Sequence, residues 1–449
     1  MPATVANPYL AGNFGPVVEE ITATDLRVTG SLPAELDGRY VRNGPNPVAP
    51  DPAAYHWFIG DGMVHGVRLR DGRAEWFRSR YVRGARTTEH FGWPDTPGPR
   101  HGMGDTANTN VIQHAGATLA IVEAGGLPVE LDHDLETVAR TNFQGTLPGS
   151  FTAHPKRDTR TGELHAMAYY WEWPYVQYVV VGTDGLVTRT VDIDCPGGPM
   201  MHDFGLSERN VVLFDLPCTF SMDAVAEGAV FPYRWNPDHA ARVGVLPRNG
   251  GPADVRWCDV SPCYVFHPMN AFDLPDGRIV VDVARHPKMF ARDVRGPNEG
   301  PPTLERWTID PSSGKVLEEQ LDDRGQEFPR ADERLLGKEH RWGYTIGFET
   351  SEDHGVEAGT VYKHDLVTGA VERRGDDRRY GWGEVVFVPR SETSAEDDGW
   401  LMGYRYDREA DTSDLVLLSA QDVTGDPVAV VHLPRRVPYG FHGNWMPSA

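Results

Sequence analysis

Tyr178-Val179-Val180-Val181-Gly182-Thr183-Asp184-Gly185-Leu186-Val187-Thr188-Arg189-Thr190-Val191 is two β-branched runs of strand length joined through an Asp-Gly tip, the signature of an antiparallel hairpin. The same punctuation recurs along the chain at Asp71-Gly72, Thr161-Gly162, Asp276-Gly277, Ser313-Gly314 and Thr368-Gly369. Glycine (48) and proline (36) are spread through all 449 residues rather than gathered into a linker. Long apolar runs of helical period are nearly absent. The helix candidates are Ser221 to Gly228 and Pro237 to Val243, with Ser221 and Asn236 as N-caps. Units of four short strands, each about 45 to 60 residues, fit this length seven or eight times, which favours a β-propeller over a sandwich. No WD or Kelch motif marks the repeats. The expectation is one all-β propeller domain over residues 1–449, with Val428 to Pro434 as a closing strand.

Composition narrows the function. Acidic side chains outnumber basic ones 65 to 43, a net charge of −22, and that field repels phosphate backbones, so nucleic acid is not an expected partner. No run approaches the roughly 18 to 20 apolar residues that span a bilayer. The start of the chain has no basic stretch leading into an apolar one, so the cytoplasm is the expected compartment. The four cysteines, 195, 218, 258 and 263, form no CxxC pair and read as buried reduced thiols.

Seventeen histidines must be separated by context. His90, His101, His133, His239, His354 and His364 lie among polar or turn residues and read as solvated. Four others sit beside apolar groups at strand ends: His154 in Phe151-Thr152-Ala153-His154-Pro155, His202 in Met200-Met201-His202-Asp203-Phe204, His267 in Val265-Phe266-His267-Pro268, and His442 in Tyr439-Gly440-Phe441-His442-Gly443. Singly, each is better explained as a satisfied core histidine than as a ligand. Their spacings of 48, 65 and 175 residues are wrong for a zinc finger or an HExxH helix. A propeller brings inner strands of different blades to one axis, where dispersed imidazoles can share a metal.

Further blocks run in order along the chain: Gly38-Arg39-Tyr40-Val41-Arg42-Asn43-Gly44-Pro45-Asn46-Pro47, His56-Trp57-Phe58-Ile59-Gly60-Asp61-Gly62-Met63-Val64-His65, Glu327-Phe328-Pro329-Arg330, Gly383-Glu384-Val385-Val386-Phe387-Val388-Pro389-Arg390 and Glu396-Asp397-Asp398-Gly399-Trp400. With the four histidines, these resemble the carotenoid cleavage oxygenase family, which includes retinoid isomerase and stilbene-cleaving relatives, over nearly the whole chain. The resemblance implies a seven-bladed propeller under a dome of loops and short helices. It also implies one Fe(II) per subunit on the axis, held by His154, His202, His267 and His442. Glu123, Glu327 and Glu384 would support those ligands, since a carboxylate that accepts the remote ring N–H fixes the tautomer and strengthens the donor. Thr109 would project towards the open coordination side, and Phe58 and Phe266 would line the substrate tunnel. His56 and His65, which flank Gly60-Asp61-Gly62, belong to a structural block of the first blade.

By that resemblance the chain is a dioxygenase that splits an alkene C=C bond with O2 into two carbonyl products. The expected substrate is an apolar conjugated chain, a carotenoid or apocarotenoid. Collecting such a lipid would favour a peripheral membrane contact, for which Phe231, Tyr233 and Trp235 are candidates. Cleavage of a stilbene or phenylpropanoid side chain on the same iron is the enzymatic alternative, and a non-catalytic propeller with a structural metal is the alternative of another class. In the stilbene-cleaving branch a lysine typically precedes the glutamate equivalent to Glu123, where this chain has Val122. Several carotenoid-cleaving members carry a bulky aromatic there. Val122 matches neither branch, but the missing phenolate anchor favours polyenes.

Overall fold

The computed structural model describes residues 7–102, 105–351, 355–375 and 378–448. Seven antiparallel sheets of four or five strands carry the architecture, with one two-stranded ribbon, Cys218–Phe220 paired to Tyr233–Trp235. It is the expected seven-bladed propeller. All six Xaa-Gly signals fall at hairpin tips, and at Asp71-Gly72 both residues take positive φ (50° and 69°), as a two-residue turn of right-handed twist demands.

The blades do repeat, through a turn too sparse to read as a motif. Asp158, Asp310, Asp365 and Asp407 each end a strand or follow one. Each carboxylate accepts the backbone N–H groups two and three residues on. The residue four positions on takes positive φ: Gly162, Gly314, Gly369 and Asp411. The side chain supplies acceptors that the turning backbone lacks, so only the aspartate and a residue tolerant of positive φ, glycine in three of the four, need recur.

Closure uses both termini twice. Gly443–Pro447 pairs with Gly38–Pro45, and Ala429–His432, within the expected closing strand, pairs with Val28–Gly30. Strands from both ends of the chain thereby complete two blades and close the ring, and the edges that remain are the short inner and outer strands of each blade.

The expected helix at Ser221 forms as Met222–Ala226, with the Ser221 hydroxyl accepting from Ala224 N–H. The expected helix at Pro237 to Val243 does not. Asn236 caps a turn instead, its Oδ1 accepting from Asp238 N–H, and the chain enters strand Arg242–Pro247. There Val243 and Val245 alternate into the core and pair on both sides, which outweighs the local capping signal.

The innermost strands position the site. In blade order they are Gly443–Pro447, Asn110–His114, Lys156–Arg157, Phe204–Leu206, Tyr264–Asp273, Gln326–Arg330 and Tyr380–Pro389. Within or just before these seven strands stand His442, Thr109, His154, His202, His267, Glu327 and Glu384. Each blade sends one residue to the centre. A bulge at Val265 to Pro268 interrupts the pairing of the His267 strand, and another at Glu327 to Arg330 does so next door. Such bulges re-aim side chains beside functional sites.

Candidate metal centre

His154, His202, His267 and His442 are all buried, and one ring nitrogen from each lies within 4.8 Å of the others. The Nε2 atoms of His154 and His202 are 2.9 Å apart, and those of His202 and His267 are 3.2 Å apart. Two donors at right angles, each about 2.1 Å from one ion, stand about 3.0 Å apart. The spacing therefore fits a first-row metal.

The remote nitrogens decide the charge state. His202 Nδ1 donates to Glu123 Oε1 at 2.5 Å, His267 Nδ1 to Glu327 Oε2 at 2.6 Å, and His442 Nδ1 to Glu384 Oε1 at 3.0 Å. A proton fixed on Nδ1 leaves a lone pair on Nε2 of each neutral ring. Lone pairs converging at these distances repel one another unless a cation sits among them. Burial and the neighbouring imidazoles hold His154 well below the ordinary histidine range, and burial lowers His267 also, so the cluster resists protonation. At His202 burial is outweighed by Glu123, which favours the charged form. That same carboxylate keeps the Nδ1 proton in place.

Two of these carboxylates, Glu327 and Glu384, are themselves held as anions. Burial would raise Glu327, but the donors His267 and His286 bring it down. Burial opposes ionisation of Glu384 too, and Arg330 and His442 outweigh it. Glu384 Oε2 also accepts Gly443 N–H at 2.9 Å, which ties the carboxylate to the residue after its histidine.

The cluster divides two cavities. On the dome side lies one of about 680 Å³, touched by His202, His267 and His442 and walled largely by aromatic residues. Thr109, Val122, Glu123, Phe58 and Phe266 all line it, as does Glu327. Phe266 packs edge-on to His202 (centroids 5.1 Å) and to Phe58 (5.6 Å). Thr109 Oγ1 donates to Asn108 Oδ1 at 3.0 Å, and its carbonyl accepts from His442 N–H, which fastens it to a ligand loop. Glu384 lines the second cavity, of about 670 Å³, on the far side of the histidines. Phe231 and Tyr233 also belong to the dome cavity, whereas Trp235 is not among its walls; Tyr233 is buried, so it offers no surface patch. The exposed apolar residues at the rim are Met222, Val225 and Val230.

Several histidines are placed otherwise than their sequence context suggests. His364 is buried in a strand, with Nε2 3.1 Å from Thr345 Oγ1, because its polar neighbours Lys363 and Asp365 are buried as well, paired with Asp397 and Arg341. His239 donates to the fully buried Asp215 at 2.6 Å, and His101 Nδ1 donates to the Gly125 carbonyl. His90 and His133 are exposed as expected, and His354 lies outside the described residues. His56 and His65 are structural: His56 Nδ1 accepts Phe58 N–H, and His65 Nδ1 meets Ser79 Oγ.

One residue of the centre escaped the sequence reading. His286, buried at the end of strand Ile279–His286, donates from Nε2 to Glu327 Oε1 at 3.0 Å, and it lines the dome cavity. Its signal is the one that singled out the four ligands, an imidazole at the end of a β-branched apolar strand. Glu327 is thus a bridge between two histidines.

Comparison with known proteins agrees with this architecture. The family model described as retinal pigment epithelial membrane protein matches residues 14–447. A protein of Mycobacterium tuberculosis named carotenoid cleavage oxygenase is 48% identical, over 98% of each chain. A carotenoid 9,10(9',10')-cleavage dioxygenase of Crocus sativus is 35% identical, over 97% of this chain and 88% of its own. Among solved structures, the lignostilbene dioxygenase of Pseudomonas brassicacearum superposes with a TM-score of 0.88 at 29% identity, over 98% of both chains.

Proposed function

This chain belongs to the carotenoid cleavage oxygenase family, and from that premise we propose that it is an Fe(II)-dependent dioxygenase cleaving one C=C bond of a carotenoid or apocarotenoid into two carbonyl products. The observation that carries the reading is the juxtaposition of four convergent imidazoles with a long aromatic cavity. His154, His202, His267 and His442 would hold the iron. Bound there, ferrous iron supplies the one-electron chemistry that lets O2 react with a closed-shell alkene.

The protein's own contribution is placement and exclusion. Glu123, Glu327 and Glu384 keep the Nδ1 protons of three ligands fixed, so that each ring presents its lone pair and cannot rotate. Phe58 and Phe266 give the polyene flat apolar walls beside His202. A cavity of this size suits a conjugated chain and sheds the water that would otherwise compete for the site. Thr109, fastened through Asn108 and His442, would narrow the open side of the metal and limit what approaches it.

Val122 supports the polyene over the hydroxystilbene. A phenol seated beside it in this apolar wall lacks the cationic partner that a lysine would supply, and an unpartnered buried hydroxyl costs about 1–3 kcal/mol. Met222, Val225 and Val230, exposed on the cavity rim, support collection of substrate from a lipid surface. No described helix is long and apolar enough to cross a membrane. The four free, buried cysteines support a reducing compartment such as the cytoplasm.

The test combines metal analysis with a competition assay. Purified protein should hold one iron per chain, and His267→Ala should lose it. Offered an apocarotenal and a 4-hydroxystilbene at equal concentration in air, the enzyme should form aldehydes chiefly from the apocarotenal. Cleavage of the stilbene alone would overturn the substrate assignment, and inert, zinc-filled protein would overturn the enzymatic one.

A further inference from the structure

We propose that the second, polar cavity is the route by which the metal loads, and that His154 is the ligand that receives it. This rests on the reading of the four histidines as metal ligands. The two cavities meet the cluster differently. His202 lines only the aromatic cavity and His154 only the polar one, while His267 and His442 line both. The polar cavity runs from these ligands between the inner strands to the exposed residues Thr159, Glu333 and Ser448, so it joins the cluster to solvent on the face away from the dome.

A hydrated divalent cation strongly resists transfer into an apolar, aromatic space with no carboxylate to meet it on the way. The dome cavity is largely such a space: the carboxylate in its wall away from the cluster, Asp105, already accepts from Ala85 N–H and from Arg140. In the polar cavity Asp203 stands at the inner end, buried, with its Oδ1 3.0 Å from Lys156 Nζ. The other cations of this wall are already engaged. Arg157 donates to the Gln113 carbonyl and contacts His114 Nδ1, and Arg330 donates to Glu333 and to Asn444 Oδ1. Asp203 Oδ1 also accepts Phe204 N–H, so an arriving cation meets Oδ2, where Lys156 is the donor to displace.

His154 differs from its partners in the way a receiving ligand must. The other three rings are locked by direct Nδ1–H to carboxylate hydrogen bonds of 2.5 to 3.0 Å. The carboxylate nearest His154 Nδ1 is Asp203 Oδ2 at 3.7 Å, beyond hydrogen-bonding distance. Among the described residues nothing else fixes that nitrogen. The ring on the polar side is the one free to turn, take an ion from Asp203 and bring it against three rigid donors.

The experiment follows uptake of Co(II) by metal-free full-length protein, using the visible absorption of the bound ion, with metal content measured at the end point. Ala331→Trp and Thr159→Trp obstruct the polar cavity away from the ligands, and Val225→Trp obstructs the rim of the aromatic one. Asp203→Asn removes the inner carboxylate. Either polar-side obstruction, and Asp203→Asn, should slow uptake by about tenfold or more, the lower end of what a charge-focusing cleft contributes to an on-rate. Final stoichiometry and melting temperature of the two obstructed variants should match the parent, and Val225→Trp should load at the parent rate. Slow loading in Val225→Trp alone, or parental rates in all four variants, would overturn the route. Failure of the parent protein to bind Co(II) at all would overturn the metal centre itself.

Discussion

Replacing Glu327 by glutamine removes one charge and leaves the shape, so its effect isolates what the carboxylate does. In the parent, Oε2 accepts from His267 Nδ1 and Oε1 from His286 Nε2. An amide offers one acceptor where two N–H groups demand one each. If its oxygen faces His267, its NH2 confronts His286, which must move its proton to Nδ1, a buried atom with no partner. A buried donor left unpaired costs about 1–3 kcal/mol, and the surviving bond to His267 loses its charge assistance, roughly half its strength. Glu327→Gln should therefore weaken metal binding about 10- to 100-fold, as loss of such a supporting carboxylate does elsewhere. His286→Phe, which removes the second donor, should recover part of that loss when combined with Glu327→Gln, a non-additivity expected of residues sharing one partner. Chelator competition with Co(II) reads the affinities, and the cobalt spectrum shows whether coordination changes. Parental affinity in Glu327→Gln, or strictly additive effects in the double variant, would refute the bridge.

Other outcomes follow from the same geometry. Val122→Lys should raise cleavage of a 4-hydroxystilbene relative to an apocarotenal by roughly 5- to 150-fold, the factor equivalent to partnering a buried phenol; an unchanged product ratio would show that Val122 does not face the scissile substrate's ring. Burial holds His56 down to about 3, and His165 and His364 down to about 4. Because an unfolded histidine titrates near 6.5, each favours the folded state fully above that pH and ceases to do so as the pH falls towards its folded value, at up to about 1.4 kcal/mol per pH unit. The urea midpoint should accordingly drop between pH 7 and pH 5, and a midpoint that held or rose would contradict these burial effects. Combined glutamate substitutions at Met222, Val225 and Val230 should reduce sedimentation with lipid vesicles while sparing cleavage of detergent-dispersed substrate; unaltered vesicle binding would place the lipid contact elsewhere.

The propeller was legible because its hairpin tips are chemically obligatory: Asp-Gly at 71–72 and Thr-Gly at 161–162 supply the positive φ that the turns require. The blade repeat was harder to see, since all that recurs is a single aspartate and, four residues later, a positive-φ residue that is glycine in three turns and Asp411 in the fourth. The four ligands stood out as imidazoles in apolar surroundings, but such surroundings do not distinguish a ligand from the buried His65, and polar neighbours do not keep His364 exposed; their partners Ser79 and Thr345 come from the adjacent strand of each hairpin. His286 was missed for the complementary reason: its carboxylate partner already belonged to His267, and only three-dimensional placement reveals that Glu327 serves two rings. The helix expected at Pro237 failed because Asn236 caps turns as readily as helices, and Val243 and Val245 then committed the segment to a strand.

The central claim is that this chain splits an alkene with both atoms of O2. Iron-loaded enzyme is given an apocarotenal under ¹⁸O2, the products are trapped at once by borohydride reduction so that carbonyl oxygen cannot exchange with water, and both fragments are weighed by mass spectrometry. One ¹⁸O is expected in the new terminus of each fragment. Label in one fragment only would contradict dioxygenation, and an intact apocarotenal would contradict the assignment of activity altogether.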